Sequence, residues 1–233
     1  MKTQILTFIR ENGGYFGIIG AASMAISALL SFYLYLSLNP DLNIITYAVS
    51  DLGTGPGLSG LIFSTGLIIA SFCQIPLYLS FIIYLRKEMR NVFLIRMVVL
   101  SSLFSIVSHN FLSLVPFDRT IIFLYYTHGI AAATHYVAGS VALILYGFVE
   151  LSHETSSKSL AILSFITGAL YGTLWIGYLL DFLVGISEDF INHSIQWVAL
   201  AGVIVWSLFH GIFLIKNKKL NFGNINIQEP SSL

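Results

Sequence analysis

Charged side chains are scarce in this chain of 233 residues. Asp, Glu, Lys and Arg make up only 9% of it and hydrophobic residues 56%, whereas soluble domains carry roughly 25% charged residues. So much apolar surface cannot be hidden in one soluble core. The formal net charge is zero, which argues against nucleic acid as a partner, because that would require a basic surface.

Cysteine and strand-like patterns are also lacking. Cys73 is the one cysteine in the chain, so a disulfide within the chain is excluded. The alternating segments of about ten residues that build a transmembrane β-barrel are absent. Because lipid offers the backbone no hydrogen-bond partners, any membrane-spanning segment of this chain has to be a helix.

Long apolar runs are abundant instead. About 20 apolar residues span a hydrocarbon layer of roughly 30 Å as a helix. The sequence therefore predicts an all-α protein with a six-helix transmembrane domain over 15–215, after a cytoplasmic interfacial lead-in at 1–14 and before a disordered cytoplasmic tail at 216–233. The six predicted spans are 15–38, 58–85, 92–115, 121–149, 159–184 and 194–215.

Basic residues are distributed unevenly between the two sets of connections. Short cytoplasmic loops retain Lys and Arg, and one set of connections and ends contains nine of them against Arg119 alone in the other. The sequence therefore predicts a multi-pass protein of the cell membrane with both termini in the cytoplasm. The nine are Lys2, Arg10, Arg86, Lys87, Arg90, Lys158, Lys216, Lys218 and Lys219.

Histidines fall inside the predicted spans, where ionisable residues are costly and are usually functional or paired. His109 lies seven residues before Pro116 and His128 seven residues after Ile121, on two spans joined by a tight turn. Equal distances from the turn predict equal depth, so we expect the two rings to face each other below Asp118. These three residues are candidate zinc ligands near the outer surface. The alternative is that the histidines only pack and hydrogen-bond between helices.

Two further histidines, His135 and His210, are predicted at similar depth in the cytoplasmic half. Paired histidines on neighbouring helices can ligate haem iron axially, so this pair is a candidate cofactor site. The alternative is again a hydrogen bond to a neighbouring helix.

The first outer connection is rich in glycine and contains Asp51 between Ser50 and Gly53. Glycine permits close backbone approach, so the connection can fold back and present Asp51 or backbone amides toward the helices. An ordinary turn with a helix cap is the alternative.

A resemblance to a known family rests on three short patterns. Ser50 to Gly53 before the second span, Val115 to Asp118 after the third, and His128 in the fourth resemble the prokaryotic six-span membrane family called domain of unknown function 998. The resemblance covers roughly 15–215. It implies an architecture and candidate positions, and no reaction, because that family has no established activity.

A weaker similarity concerns the membrane hydrolase superfamily of alkaline ceramidases and adiponectin receptors. Ser105, His109 and Asp118 are similar to its early Ser, His and Asp elements, and the resemblance implies zinc within a helical bundle. The late His-x-x-x-His pair of that superfamily is missing, since His193 and His210 are seventeen residues apart.

Several functions follow from these observations. We expect an integral membrane protein with an outward-facing polar pocket that is lipid-related or binds a small ligand, with membrane lipids as partners. One alternative is a metal-dependent membrane lipid hydrolase or transferase, in which zinc would activate a water molecule. Others are a transporter, a haem-binding electron carrier and a structural subunit of a larger complex. The candidate catalytic residues are Asp51, His109, Asp118 and His128.

Overall fold

The computed structural model describes residues 2–45, 47–86, 91–115, 120–152, 156–184 and 189–217. Within these ranges the protein is all-α, with no β-strand and with one short 3-10 helix, Val49–Thr54. The six long helices are α1 Lys2–Leu38, α2 Ser59–Arg86, α3 Val92–Leu114, α4 Ile122–Ser152, α5 Lys158–Val184 and α6 Asp189–Lys216.

Each long helix contains a segment that is long and apolar enough to cross a membrane. The prediction of an all-α, six-helix membrane protein is therefore confirmed. The bounds of five helices agree with the predicted spans to within five residues. The exception is α1, which begins at Lys2, so the expected lead-in at 1–14 is continuous with the first helix. Most of the predicted tail lies outside the described residues.

The helices form a ring in chain order, and α6 closes it against α1. A Cβ atom built on Gly14 would lie 2.6 Å from the Gly211 carbonyl oxygen, so the start of α1 lies beside the end of α6. We call this end of the bundle, where α1 begins and α6 finishes, the terminal end. The opposite end, which carries the connection 39–58, is the distal end.

The surface of the ring is strongly apolar, and many of its polar residues lie inside. Phe93, Ile122 and Phe123 are each more than 70% exposed, an arrangement suited to lipid contact and not to water. Glutamine, glutamate, histidine and serine side chains are buried between the helices. This distribution is typical of an integral membrane protein, in which polar side chains hydrogen-bond across helix interfaces.

An aromatic cluster fills the middle of the bundle. Tyr78 stacks on Tyr146 with ring centroids 5.6 Å apart, and Trp206 lies 5.3 Å from Tyr78 and 5.8 Å from Tyr146. All three rings are at least 95% buried. The cluster separates a cavity in the distal half from a polar group in the terminal half.

Candidate functional site

A cavity lies in the distal half of the bundle and is lined by all six helices and the 3-10 helix. It offers about 90 Å³ to the centres of water-sized molecules, several times the ~10–15 Å³ that a single water requires. Its walls are mainly apolar, from residues such as Met24, Phe63 and Leu200. The polar side chains among the described lining residues are Ser50, Ser64, His109, Ser113, His128, His135, Tyr136, Tyr171 and Gln196.

Three histidines share this cavity, but their pairing differs from the expectation. The ring of His109 lies 4.9 Å from that of His135, whereas we expected it to face His128. The reason is that helical side chains lean toward the N-terminus of their own helix. Because α3 runs toward the distal end, the His109 side chain leans toward the terminal end. Because α4 runs the opposite way, the His128 and His135 side chains lean toward the distal end, which brings His135 to the level of His109.

His128 is anchored at the distal end of the cavity. Its Nδ1 lies 2.7 Å from the carbonyl oxygen of Val115, and because a carbonyl only accepts, Nδ1 carries the proton and donates. In a neutral ring Nε2 is then a hydrogen-bond acceptor. Asp51 lies near enough to interact electrostatically with His128.

His135 is anchored in the same way, deeper in the cavity. Its Nδ1 lies 3.0 Å from the carbonyl oxygen of Ser105, on the neighbouring helix α3. The carbonyl again requires Nδ1 to donate, which leaves Nε2 as an acceptor in the neutral ring. Two of the three histidines in the cavity therefore have defined tautomers.

His109 differs from both. Its side chain is more than nine-tenths buried, yet Nδ1 has no hydrogen-bond partner within the described part of the chain. A buried polar atom without a partner costs about 1–3 kcal/mol. His109 itself is one of the residues that line the cavity.

The connection 39–58 folds back over the cavity, and Ser50 and Gly53 line it. The Asp51 carboxylate accepts a hydrogen bond of 2.7 Å from the Ala48 backbone amide and caps the 3-10 helix. Trp197 Nε1 on α6 donates to the Tyr47 carbonyl at 3.0 Å. The connection therefore folds back toward the helices, as one interpretation predicted. Asp51 itself is a helix cap, as the alternative predicted.

The predicted metal site is not assembled by the residues that the structure describes. Among them, no group of three or more His, Cys, Asp or Glu side chains is arranged to hold a metal ion. Asp118, the third candidate ligand beside His109 and His128, lies outside the described residues. Zinc therefore stays a prediction.

A second polar group lies in the terminal half, around Glu150. His210 Nε2 and Glu150 Oε1 are 2.5 Å apart, and the Ser164 hydroxyl donates to Glu150 Oε2 at 2.8 Å. Trp206 Nε1 donates to the Ser164 hydroxyl at 2.8 Å. The four side chains join α4, α5 and α6, and all are at least 99% buried.

Glu150 was not among the residues predicted from the sequence, because the predicted fourth span ends at 149, one residue before it. A helical-periodicity signal was available: His135, Gly139, Ala142 and Tyr146 recur every three or four residues on the buried face of α4. The next position of that pattern is Glu150, which places its carboxyl group inside the bundle.

The expectation that His135 and His210 lie at similar depth is wrong. His135 lies in the cavity, whereas His210 contacts Glu150, fifteen residues further along α4 and so roughly 22 Å away along the axis. Both ring nitrogens of His210 already have partners, since Nδ1 lies 2.8 Å from the Trp206 carbonyl oxygen. The structure therefore does not support haem ligation by this pair.

Comparisons with protein-family models, with curated proteins and with solved structures found no match to this chain. The two family resemblances therefore stay predictions, and the function is argued from the geometry.

Proposed function

We propose that this membrane protein binds an uncharged amphiphile, such as a lipid with a hydroxyl or amide group, in the distal cavity. The observation that carries the proposal is that His109, which lines the cavity, has a buried Nδ1 with no partner among the described residues. A ligand that hydrogen-bonds to this nitrogen removes the cost of its isolation.

The walls of the cavity define the chemistry of the ligand. No Asp, Glu, Lys or Arg is found among the described residues that line it, and a charged group buried there would lack a counter-charge. His135 presents an acceptor Nε2 when neutral, so the ligand should carry a hydrogen-bond donor. Its remaining surface should be apolar, to match side chains such as Phe63 and Leu200.

We propose further that the protein resides in the cell membrane with its terminal end in the cytoplasm, which makes the cavity outward-facing. The excess of Lys and Arg predicted for the cytoplasmic side supports this orientation. The resemblance to the six-span family called domain of unknown function 998 is consistent with a location in the cell membrane. Ser50 and His128, which belong to the motifs behind this resemblance, both line the cavity.

The binding proposal can be tested with two matched amphiphiles, dodecanol and its methyl ether. They have the same chain, but only the alcohol carries a hydrogen-bond donor. We expect dodecanol to raise the unfolding temperature of the purified protein in detergent more than the ether does, because a ligand that binds only the folded state stabilises it. His109→Leu, which keeps a similar volume and removes the nitrogen, should abolish the difference between the two compounds.

His193→Ala is the matched control, because it removes a histidine that does not line the cavity. It should keep the advantage of the alcohol over the ether. Equal stabilisation of the wild-type protein by both compounds would contradict the proposal. Stronger stabilisation by dodecanoate than by dodecanol would show instead that the cavity takes a charged head group.

A zinc-dependent hydrolase is the second candidate, favoured by one observation. His128 donates through Nδ1 to a backbone carbonyl, and metal-binding histidines are commonly oriented by such a bond so that Nε2 meets the ion. We expect the zinc content of purified protein to decide between the two. About one zinc per chain, lost in His128→Ala and in Asp118→Ala, would favour the hydrolase.

A further inference from the structure

Glu150 on α4 and His210 on α6 form a short contact, and its geometry determines how many hydrogens the pair must bind. His210 Nδ1 lies 2.8 Å from the Trp206 carbonyl oxygen, and Nε2 lies 2.5 Å from Glu150 Oε1. Both nitrogens therefore face oxygens. A carbonyl oxygen only accepts, so Nδ1 must carry a hydrogen.

The hydrogen between Nε2 and Oε1 can be bonded either to His210 or to Glu150. If glutamate is ionised, His210 must be an imidazolium so that Nε2 can donate. If His210 is neutral, its Nε2 is a lone pair and Glu150 must be protonated so that Oε1 can donate. In both cases the pair binds one hydrogen beyond neutral histidine and ionised glutamate, and its net charge is zero.

The surroundings favour this neutral combination. The rings of Phe81 and Trp206 lie 4.9 Å and 4.1 Å from that of His210, so water does not surround the pair. Among the residues that the structure describes, Tyr146 on α4 is a further titratable side chain that interacts with Glu150, and it stacks on Tyr78 of α2. The polar neighbour on α5 is Ser164, which does not titrate. A buried net charge among these groups would be costly.

We propose that Glu150 and His210 form a proton-binding site in the terminal half of the bundle, which holds one proton in the folded protein. The site is separate from the distal cavity, and the proposal does not depend on what the cavity binds. Buried acid and histidine side chains in membrane bundles commonly mark proton pathways.

Glu150→Gln tests the proposal by removing the proton while preserving the contacts. The amide oxygen can accept from Ser164, and the amide nitrogen can donate to Nε2 of neutral His210. The folded variant then holds one proton fewer than the folded wild-type protein. In the unfolded chains, glutamate and histidine titrate near about 4.3 and 6.5, so above a pH of about 5 the two unfolded states bind equal numbers of protons.

The expected result follows from proton linkage. Stability falls with rising pH wherever the folded state binds more protons than the unfolded state. We expect the unfolding equilibrium constant of the wild-type protein, divided by that of Glu150→Gln, to rise up to about tenfold per pH unit between about 6 and 8. The measurement is equilibrium unfolding in mixed detergent micelles at several pH values.

Comparison with Glu150→Gln cancels the contributions of the charged residues at the terminal end, such as Arg10, Lys158 and Lys216, because both proteins contain them. A ratio that does not change with pH would overturn the proposal. If the variant does not fold, nitrogen NMR and infrared spectroscopy of the wild-type protein at pH about 8 replace it. The proposal requires either an imidazolium at His210 or a protonated carboxylic acid at Glu150, and finding neither would overturn it.

Discussion

At the scale of single residues, Asp51 shows that a conspicuous acid can have a structural role. Its carboxylate caps the 3-10 helix through the Ala48 amide, and a lost cap typically costs about 1 kcal/mol. We therefore predict that Asp51→Ala lowers the free energy of unfolding by roughly that amount. Asp51→Asn should cost only a few tenths of this, because the amide oxygen can accept the same hydrogen bond. Chemical unfolding in detergent measures both.

Asp41→Ala is the control for this comparison. Asp41 belongs to the same connection and is exposed, and its removal should leave stability almost unchanged. If Asp51→Asn were as destabilising as Asp51→Ala, the charge of Asp51 beside His128 would matter more than the cap.

Trp206 offers a second prediction at the residue scale. It is fully buried, and its Nε1 donates to the Ser164 hydroxyl that in turn donates to Glu150. Trp206→Phe removes the donor and part of the ring, so we expect a loss of about 2 kcal/mol in the free energy of unfolding. Trp175→Phe, at a position 37% exposed on α5, should cost much less in the same unfolding experiment. Similar losses in both variants would show that the hydrogen-bonded group around Glu150 contributes little.

At the scale of helices, close approach of α1 to α6 depends on a missing side chain. A Cβ atom at Gly14 would lie 2.6 Å from the Gly211 carbonyl oxygen and 2.8 Å from a side-chain carbon of Ile215. Backbone cannot rotate away, so Gly14→Ala forces the two helices apart. We predict a loss of about 1–3 kcal/mol, the usual range for overpacking, measured by unfolding in detergent.

Gly129→Ala is the matched control for the helix-packing prediction. A Cβ atom there meets nothing within 4 Å, and alanine is the better helix former by roughly 0.5–1 kcal/mol. This variant should be as stable as the wild-type protein or slightly more stable. Equal effects at Gly14 and Gly129 would mean that α1 and α6 do not rely on close contact.

At the scale of the whole molecule, the six-helix ring places Gln4 and Ile45 at opposite ends. We predict that a single cysteine introduced by Ile45→Cys reacts with a membrane-impermeant maleimide in intact cells, as the proposed outward orientation of the distal end requires. A cysteine introduced by Gln4→Cys should react only after the membrane is opened. Both variants are made with Cys73→Ala, to remove the natural cysteine. The reverse labelling pattern would overturn the proposed orientation.

The agreement between predicted and observed helices has a simple cause. Spans such as α2 and α3 are predominantly apolar over about 20 residues, and hydropathy reports that property directly. The start of α1 could not be placed in this way, because 2–14 contains charged residues and yet continues the helix. The end of α4 was misplaced for the same reason, since Glu150 interrupts the apolar run without ending the helix.

The candidate site was predicted less well than the helices. Distance from the turn placed His109, His128 and Asp118 together, and in the structure both histidines line the distal cavity. It could not show that His109 meets His135, because that contact depends on the direction in which side chains lean from α3 and α4.

The sequence by itself determined that this chain is a helical membrane protein with six spans, because crossing lipid requires length and apolar character, which are local properties. Only the tertiary structure decided that His109 lines a cavity with no partner for Nδ1 among the described residues, and that Glu150 contacts His210. Both depend on which side chains from distant helices meet, and that is set by how the helices pack around one another. Charged residues are scarce in the sequence, and one of them, Glu150, is buried where three helices meet and is paired with His210.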